Sequence, residues 1–305
     1  MIIETQQLSK KFGRIQALDG VTLQIEDGAT GLLGPNGSGK TTLLRILLGL
    51  LPAHGTSTVL GLDPAREPLS VRARIGYMPE SECIVPGLAG VDVVAYLGRL
   101  AGLPRRPALK RAHEVMYYVG LDEQRYRDAT EYSQGMQQRL KLATALVHDP
   151  DLIFLDEPTN GLDPDGRSEM LKIVGELATE HGKNLIFSSH LLKDVEKVCS
   201  HVVMLRKGKV VQTGAIDALT SDHTGAYAVG IDGEREGYAN ALQLAGAQAT
   251  VGANGTLLVA LPAGEGTHFL FRVAKDCGIQ IRSLAATRRS LEDVFVAEME
   301  DMRER

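Results

Sequence analysis

A glycine-rich stretch near the start of the chain contains the residue types that bind phosphate. It consists of Gly34, Pro35, Asn36, Gly37, Ser38, Gly39, Lys40, Thr41 and Thr42. Glycines let successive backbone N–H groups curl around a phosphate, Lys40 can reach the outer phosphate oxygens, and Thr41 offers a hydroxyl to Mg²⁺. The pattern predicts a P-loop that binds a nucleoside triphosphate with its magnesium ion.

Two short apolar elements must position this loop, and the sequence supplies both. Residues 29–33 form a run typical of a buried strand, and residues 41–51 follow a helical apolar pattern that Pro52 ends. The N-terminus of that helix adds positive potential to the phosphate site.

A second pair of chemical groups follows another apolar run. Residues 151–155 predict a buried strand that ends in Asp156 and Glu157. We expect this strand to lie beside the strand that precedes the P-loop. Asp156 would then hold Mg²⁺ through its water shell, and Glu157 would polarise the attacking water.

The order of short motifs along the chain points to one family. After the P-loop come Ser133-Gln134-Gly135-Met136, Asp156-Glu157-Pro158-Thr159, Gly161-Leu162-Asp163-Pro164 and Ser188-Ser189-His190. This order resembles that of the nucleotide-binding subunits of ABC transporters, over roughly the first 215 residues. The form Tyr-Ser-x-Gly-Met is similar to the branch that works with ABC-2-type membrane partners.

The resemblance implies an α/β fold, a P-loop NTPase of the ABC ATPase type. It implies a RecA-like core, an antiparallel β subdomain and a helical subdomain at about residues 81–132, all within residues 1–219. The resemblance also places a groove for the membrane subunit beside the helical subdomain. We expect Ile84, Val85 and Leu88 to form an exposed apolar patch there.

The rest of the chain predicts a second domain. Polar residues 220–226 indicate a linker, and residues 227–305 follow the order β-α-β-β-α-β, with a hairpin turn at Asn254-Gly255. A capping pattern at Ser290 begins a final helix. We therefore predict a C-terminal α+β ferredoxin-like domain.

In this family two subunits face head to tail and hold ATP between them. The resemblance implies that Ser133 and Gly135 bind the γ-phosphate of ATP on the opposite subunit, and that Asp163 makes a dimer contact. It also implies that His190 contacts the γ-phosphate and orders Glu157.

Two further positions follow from the same resemblance. Phe12 matches the aromatic residue that stacks on adenine. Glu80 stands where most members have Gln, a residue that approaches Mg²⁺. A carboxylate at this position can ligate the metal or its water, or it can act only as a negative charge near Asp156 and Glu157.

Composition narrows the class of protein. The formal net charge is −5 and no block of Lys and Arg stands out, which argues against a nucleic-acid partner. We expect neither a secretion leader nor a membrane span. The widely separated Cys83, Cys199 and Cys277 predict buried thiols, without disulfide or zinc.

We therefore predict an ATP-binding and ATP-hydrolysing subunit of an ABC transporter, with ATP and Mg²⁺ as cofactors. The resemblance implies a homodimer, or a heterodimer with a paralogue, that powers a polytopic permease on a separate chain. The subunit would lie on the cytoplasmic face of the inner membrane. The alternative is a soluble, non-transport ABC ATPase with a regulatory, resistance or ribosome-associated role.

Overall fold

The structure is a computed structural model that describes residues 1–81, 85–220, 223–252, 256–262, 264–288 and 290–295. It divides into two compact units, Met1–Ile216 and Asp217–Arg305. Within the described residues, every helix is too short or too polar to cross a lipid bilayer.

The first unit contains both strands and helices. The strands are β1 (Ile3–Phe12), β2 (Ile15–Ile25), β3 (Ala29–Leu33), β4 (His54–Val59), β5 (Ile75–Met78), β6 (Leu152–Asp156), β7 (Asn184–Ser189), β8 (His201–Arg206) and β9 (Lys209–Ala215). The helices are α1 (Lys40–Leu47), α2 (Pro68–Ala73), α3 (Gly90–Leu100), α4 (Arg105–Tyr118), α5 (Gln134–Leu146), α6 (Pro164–Thr179) and α7 (Leu192–Val198). A short helix, α8 (Ile216–Thr220), crosses the division between the units.

A six-stranded sheet forms the centre of the first unit, in the order β5-β6-β7-β3-β8-β9. All neighbouring strands are parallel except the β8–β9 pair. Every residue of β3 and β6 is buried, as expected of strands covered on both faces. The predicted strands at 29–33 and 151–155 are thus confirmed, the second displaced by one residue.

One expectation about this sheet is wrong. The strand that ends in Asp156 does not lie beside the P-loop strand, because β7 pairs with both of them. In the register of the sheet, Asp156 pairs with Ser188, and Leu33 pairs with Ser189. Since parallel strands end at the same edge, the segment after β7 lies between the P-loop and the acidic pair.

The predicted antiparallel subdomain is present as the sheet β2-β1-β4. Its apolar face packs on α1, where the helix buries Leu43, Leu44 and Leu47 in the same core. This packing fixes the helix whose first residue is Lys40.

The predicted helical segment contains α3 and α4, which pack on each other and on α5. The buried side chains of α4 are Ala108, Ala112, Val115 and Met116, which follow helical spacing. In the proposed apolar patch, Val85 is exposed and Leu88 is half-buried, whereas Ile84 lies outside the described residues.

The second unit has the predicted order of elements. They are β10 (His223–Asp232), α9 (Arg235–Leu244), β11 (Gln248–Val251), β12 (Leu257–Ala260), α10 (His268–Asp276) and β13 (Gln280–Arg288). The strand order β11-β12-β10-β13, antiparallel throughout, is that of a ferredoxin-like fold. The core lies between the sheet and its two helices, around Val229, Leu242, Leu257 and Leu270.

Two local expectations about this unit need correction. Residues 223–226 belong to β10 rather than to a linker, because His223 pairs with Arg288 of β13. Cys277 is exposed rather than buried, since it caps the surface end of α10. Cys199 is buried, which raises the pKa of its thiol, and Cys83 lies outside the described residues.

The start of the final helix shows the predicted cap. The Ser290 hydroxyl accepts a hydrogen bond from the Asp293 N–H at 3.1 Å, and the Asp293 carboxylate accepts one from the Ser290 N–H at 2.8 Å. Residues 291–295 are helical. The hairpin turn predicted at Asn254-Gly255 lies outside the described residues.

Candidate nucleotide site

The loop between β3 and α1 has a backbone that only glycine accommodates at key points. Gly39 has φ of +110°, and a Cβ built on it would lie 2.6 Å from the carbonyl oxygen of Ala17. A Cβ on Gly34 would lie 2.3 Å from the carbonyl oxygen of Leu205. Side chains at these positions would displace the loop from its β-strand neighbours.

This loop forms one wall of a cleft of about 470 Å³. The cleft is lined by Ile15, Gln16, Ala17, Asn36, Gly37, Ser38, Gly39, Lys40, Thr41, Thr42, Glu80, Asp156 and Glu157. The predicted loop residues, both acids and Glu80 thus share one cavity. One lysine and three carboxylates are among the lining residues, a charge pattern suited to a phosphate chain with a bound cation.

Lys40 is the buried cation of the cleft, with 7% of its surface exposed. Its Nζ donates a hydrogen bond to the carbonyl oxygen of Gly34 at 2.7 Å and lies 3.7 Å from Oε1 of Glu157. An ammonium group has three N–H donors, so Lys40 can bond both its own loop and a phosphate oxygen.

Thr41 and Asp156 make up the part of the cleft that fits a magnesium ion. The Thr41 hydroxyl donates to Oδ2 of Asp156 at 2.9 Å. In the part of the chain that the structure describes, the buried Oδ1 of Asp156 has no hydrogen-bond partner, which suits a ligand to a metal-bound water. No three His, Cys, Asp or Glu side chains among the described residues could hold a metal by themselves. One carboxylate beside a threonine hydroxyl fits Mg²⁺, which keeps several waters and takes phosphate oxygens as ligands.

Glu157 adopts a backbone conformation that is rare for its residue type. Its φ is +53°, in the left-handed region that disfavours side chains with a Cβ. The backbone is held by a hydrogen bond from its N–H to the Ser188 carbonyl at 3.0 Å and by one from the Asn160 N–H at 3.1 Å. Such strain is typical of functional positions and turns the carboxylate into the cleft. No sequence pattern shows it.

His190 directly follows β7 and faces Glu157. Its Nδ1 lies 2.8 Å from Oε2 of Glu157, while the imidazole is 44% exposed and the carboxylate only 7%. The carboxylate is thus flanked by Lys40 on one oxygen and by His190 on the other. The pair can orient a water molecule at the end of a phosphate chain.

Glu80 is exposed and lines the same cleft. Its Oε1 lies 3.5 Å from Nδ2 of Asn160, at the limit of a hydrogen bond. The structure therefore brings Glu80 to the site, but leaves both predicted roles, metal ligand and neighbouring charge, as predictions.

Ser133 and Gly135, at the start of α5, are not among the residues that line the cleft. The Ser133 side chain is exposed and caps the helix by accepting a hydrogen bond from the Met136 N–H at 3.4 Å. Gly135 is half-buried, and a Cβ built on it would lie 3.8 Å from Leu162. Asp163, which follows Leu162, is exposed and caps α6. Its carboxylate accepts a hydrogen bond from the Gly166 N–H at 3.0 Å. An N–H-rich helix end that faces outwards suits an anion held by another molecule.

Phe12 is not among the residues that line the cleft. It is 45% exposed at the end of β1, and its ring lies 5.1 Å from Nζ of Lys10. Three residues that start the next strand, Ile15–Ala17, line the cleft instead. Sequence inspection missed them because they lack a chemical signature.

A buried carboxylate that no sequence pattern predicted stabilises the turn that follows Asp156 and Glu157. Asp194 of α7 is 1% exposed. It accepts hydrogen bonds from the Thr159 hydroxyl at 2.8 Å and from Nε of Arg167 at 2.7 Å. The segment after β6 is thus tied to the segment after β7 twice, by this contact and by Glu157 with His190.

Comparison with known proteins places this geometry among nucleotide-binding proteins. Residues 18–160 match the family model described as ABC transporter. The daunorubicin resistance ATP-binding protein DrrA3 of Streptomyces coeruleorubidus is 34% identical, over 94% of this chain and 92% of its own. The uncharacterized ABC transporter ATP-binding protein YxlF of Bacillus subtilis is 35% identical, over 78% of this chain and 79% of its own.

Solved structures agree in fold. The chain is similar to an ATP-binding subunit of an ABC transporter, with a TM-score of 0.64 and 26% identity, over 72% of this chain and 92% of that one. It is also similar to the ATP-binding cassette MJ0796, solved as a post-hydrolysis dimer bound to ADP and Pi. That match has a TM-score of 0.63 and 25% identity, over 70% of this chain and 98% of that one.

Proposed function

This chain belongs to the family of ABC transporter ATP-binding proteins, which bind and hydrolyse ATP, and we propose that it powers the separate membrane subunit of an ABC-2-type exporter. The observation that supports this most strongly is the division of the site. Lys40, Thr41, Asp156 and Glu157 line one cleft, whereas Ser133 lies exposed outside it.

Within the cleft, we assign the phosphate chain of ATP to residues 34–42. Lys40 would bind the β- and γ-phosphate oxygens, and Thr41 with Asp156 would hold Mg²⁺ and its water shell. Held by Thr41 and Asp156, the metal ion would supply positive charge to offset the negative charge that develops on the phosphates.

Glu157 and His190 are the residues we assign to hydrolysis. Glu157 would orient and polarise the attacking water, and His190 would hold Glu157 in place and contact the γ-phosphate. Positioning and charge compensation account for most of the catalysis in phosphoryl transfer, so no covalent intermediate is required.

We propose that two copies of the chain, or this chain and a paralogue, close on ATP head to tail. The exposed Ser133 and Asp163 of one chain, together with its half-buried Gly135, would complete the cleft of the other. Such a twofold arrangement stops at two chains, because each chain contributes both its cleft and its Ser133 surface to the other. ATP would therefore drive closure, and hydrolysis would reopen the dimer.

The partner that closure moves would be a polytopic permease, with this subunit peripheral on the cytoplasmic face of the inner membrane. Relatives in this family include the DrrA3 resistance protein and the linearmycin resistance ATP-binding protein LnrL of Bacillus subtilis, which supports export as the direction.

Co-purification tests this proposal. The tagged chain is recovered from membranes of its native cell in mild detergent with ATP and magnesium, and the proteins that accompany it are identified by mass spectrometry. We expect one stoichiometric polytopic membrane protein. Recovery only from the soluble fraction, alone or with ribosomes, would contradict the transporter assignment.

A further inference from the structure

A lysine inside α5 has its charged group buried against the backbone of the loop that contains Glu80. Lys141 is 5% exposed. Its Nζ donates to three successive carbonyl oxygens, those of Pro79 at 2.9 Å, Glu80 at 3.0 Å and Ser81 at 3.4 Å. Burial of an ammonium group is costly unless its donors are satisfied, and here the loop backbone satisfies them.

The position of this contact links two parts of the proposed site. Glu80 lines the nucleotide cleft, and Lys141 lies on the helix that Ser133 caps. Ser133 and Lys141 are eight residues apart, about 12 Å along the helix axis. Because the helix is continuous between them, Lys141 connects the loop to the helix that presents Ser133.

We propose that Lys141 is a positioning residue for ATP hydrolysis, which fixes the loop 79–81 so that Glu80 faces the cleft. Three hydrogen bonds from one ammonium group hold three successive peptide units in one orientation. The Glu80 side chain is directed by that backbone, and Lys141 acts on the reaction only through it. This inference rests on the proposed function, in which the cleft binds and hydrolyses ATP.

A double-mutant cycle tests the proposal. Lys141→Met removes the donors but keeps a long apolar side chain, and Glu80→Ala removes the side chain that Lys141 is proposed to position. We expect Lys141→Met to lower kcat for ATP about tenfold and to raise the Mg²⁺ concentration at half-maximal rate. The KM for ATP should stay within about threefold, because Lys141 is not among the residues that line the nucleotide cleft.

The cycle separates positioning from a loss of stability. If Lys141 acts through Glu80, Lys141→Met should have little further effect in the Glu80→Ala background. Lys141→Gln, which keeps two N–H donors, should retain more activity than Lys141→Met. An equal loss of kcat in Lys141→Met and Lys141→Gln would overturn the proposal. Full additivity of Lys141→Met with Glu80→Ala would overturn it as well.

Lys183 provides a matched control. It also donates to a backbone carbonyl, that of Pro150 at 2.9 Å, and to Asp149 at 2.9 Å, but neither acceptor residue lines the nucleotide cleft, whereas Glu80 does. Lys183→Met should leave the Mg²⁺ dependence unchanged, and a change as large as that of Lys141→Met would overturn the assignment. Failure of the proposed function would appear separately, as absence of a membrane partner, since this experiment measures only hydrolysis.

Discussion

Nδ1 of His190 lies 2.8 Å from Oε2 of Glu157, although 33 residues separate them in the sequence. The contact exists because β6 and β7 are parallel neighbours, with Asp156 level with Ser188. Each strand ends at the same edge of the sheet, and the residues that follow meet there. The proposed catalytic pair is therefore a consequence of strand order.

Replacement of Glu157 by Gln should separate binding from hydrolysis. The amide keeps the size of the side chain but cannot polarise water as a carboxylate does, so we expect turnover to fall at least about a hundredfold. Lys40 keeps its hydrogen bond to the Gly34 carbonyl, so the phosphate-binding loop stays in place and ATP affinity should be retained. Phosphate release and fluorescent-nucleotide binding measure the two effects, and unchanged turnover would refute the role of Glu157.

His190→Ala should lower kcat with little change in KM for ATP. It removes the group that orients Oε2 of Glu157 and leaves the phosphate-binding loop intact, so we expect a loss of about tenfold to a hundredfold. His181→Ala is a suitable control, because that ring packs edge-on against Tyr118, which does not line the nucleotide cleft, whereas His190 contacts Glu157, which does. Equal kinetics in the two variants would argue against a role for His190.

Asp194→Asn should destabilise the first unit. The change leaves Arg167 without its carboxylate partner, and it weakens the contact with the Thr159 hydroxyl. We expect the free energy of unfolding to fall by about 2 kcal/mol, less than for a fully buried pair because Arg167 is one-third exposed.

Urea unfolding measures this effect. The control is Lys172→Ala, which breaks an exposed pair with Glu176 and should change stability by less than about 0.5 kcal/mol. If both variants unfold at the same urea concentration as the wild type, the buried pair contributes nothing.

Acid should weaken the fold through His148. Burial lowers the pKa of this imidazole below its ordinary value of 6.5. The unfolded chain therefore binds more protons than the folded chain as the pH falls below 6.5, and stability is lost on acidification through that range. His148→Gln keeps a donor toward the Ile75 carbonyl but cannot titrate. Its melting temperature should depend less on pH below 6.5 than that of the wild type, and an identical pH profile would contradict this account.

Local sequence patterns were enough to predict the elements that hold the site. The apolar runs at 29–33 and 151–155 depend only on neighbouring residues, and the structure shows both strands, the second displaced by one residue. The order β-α-β-β-α-β of the second unit could also be predicted, because the apolar periodicity of each element and the turn residues between elements are local features of the sequence.

Features that depend on distant pairing could not be predicted in this way. The insertion of β7 between β6 and β3 is a property of the whole sheet. The positive φ of Glu157 depends on hydrogen bonds to Ser188 and Asn160. Lys141 would pass for an ordinary helix residue, since its three carbonyl partners lie about 60 positions earlier in the chain.

The central claim is that ATP holds two chains together through Ser133 of one and the cleft of the other. Light scattering of the Glu157→Gln chain, with and without ATP and magnesium, measures it most directly. We expect the molar mass to double with ATP, and Ser133→Arg in the same background to stay monomeric while it still binds nucleotide. A Glu157→Gln chain that binds ATP and remains a monomer would contradict the account.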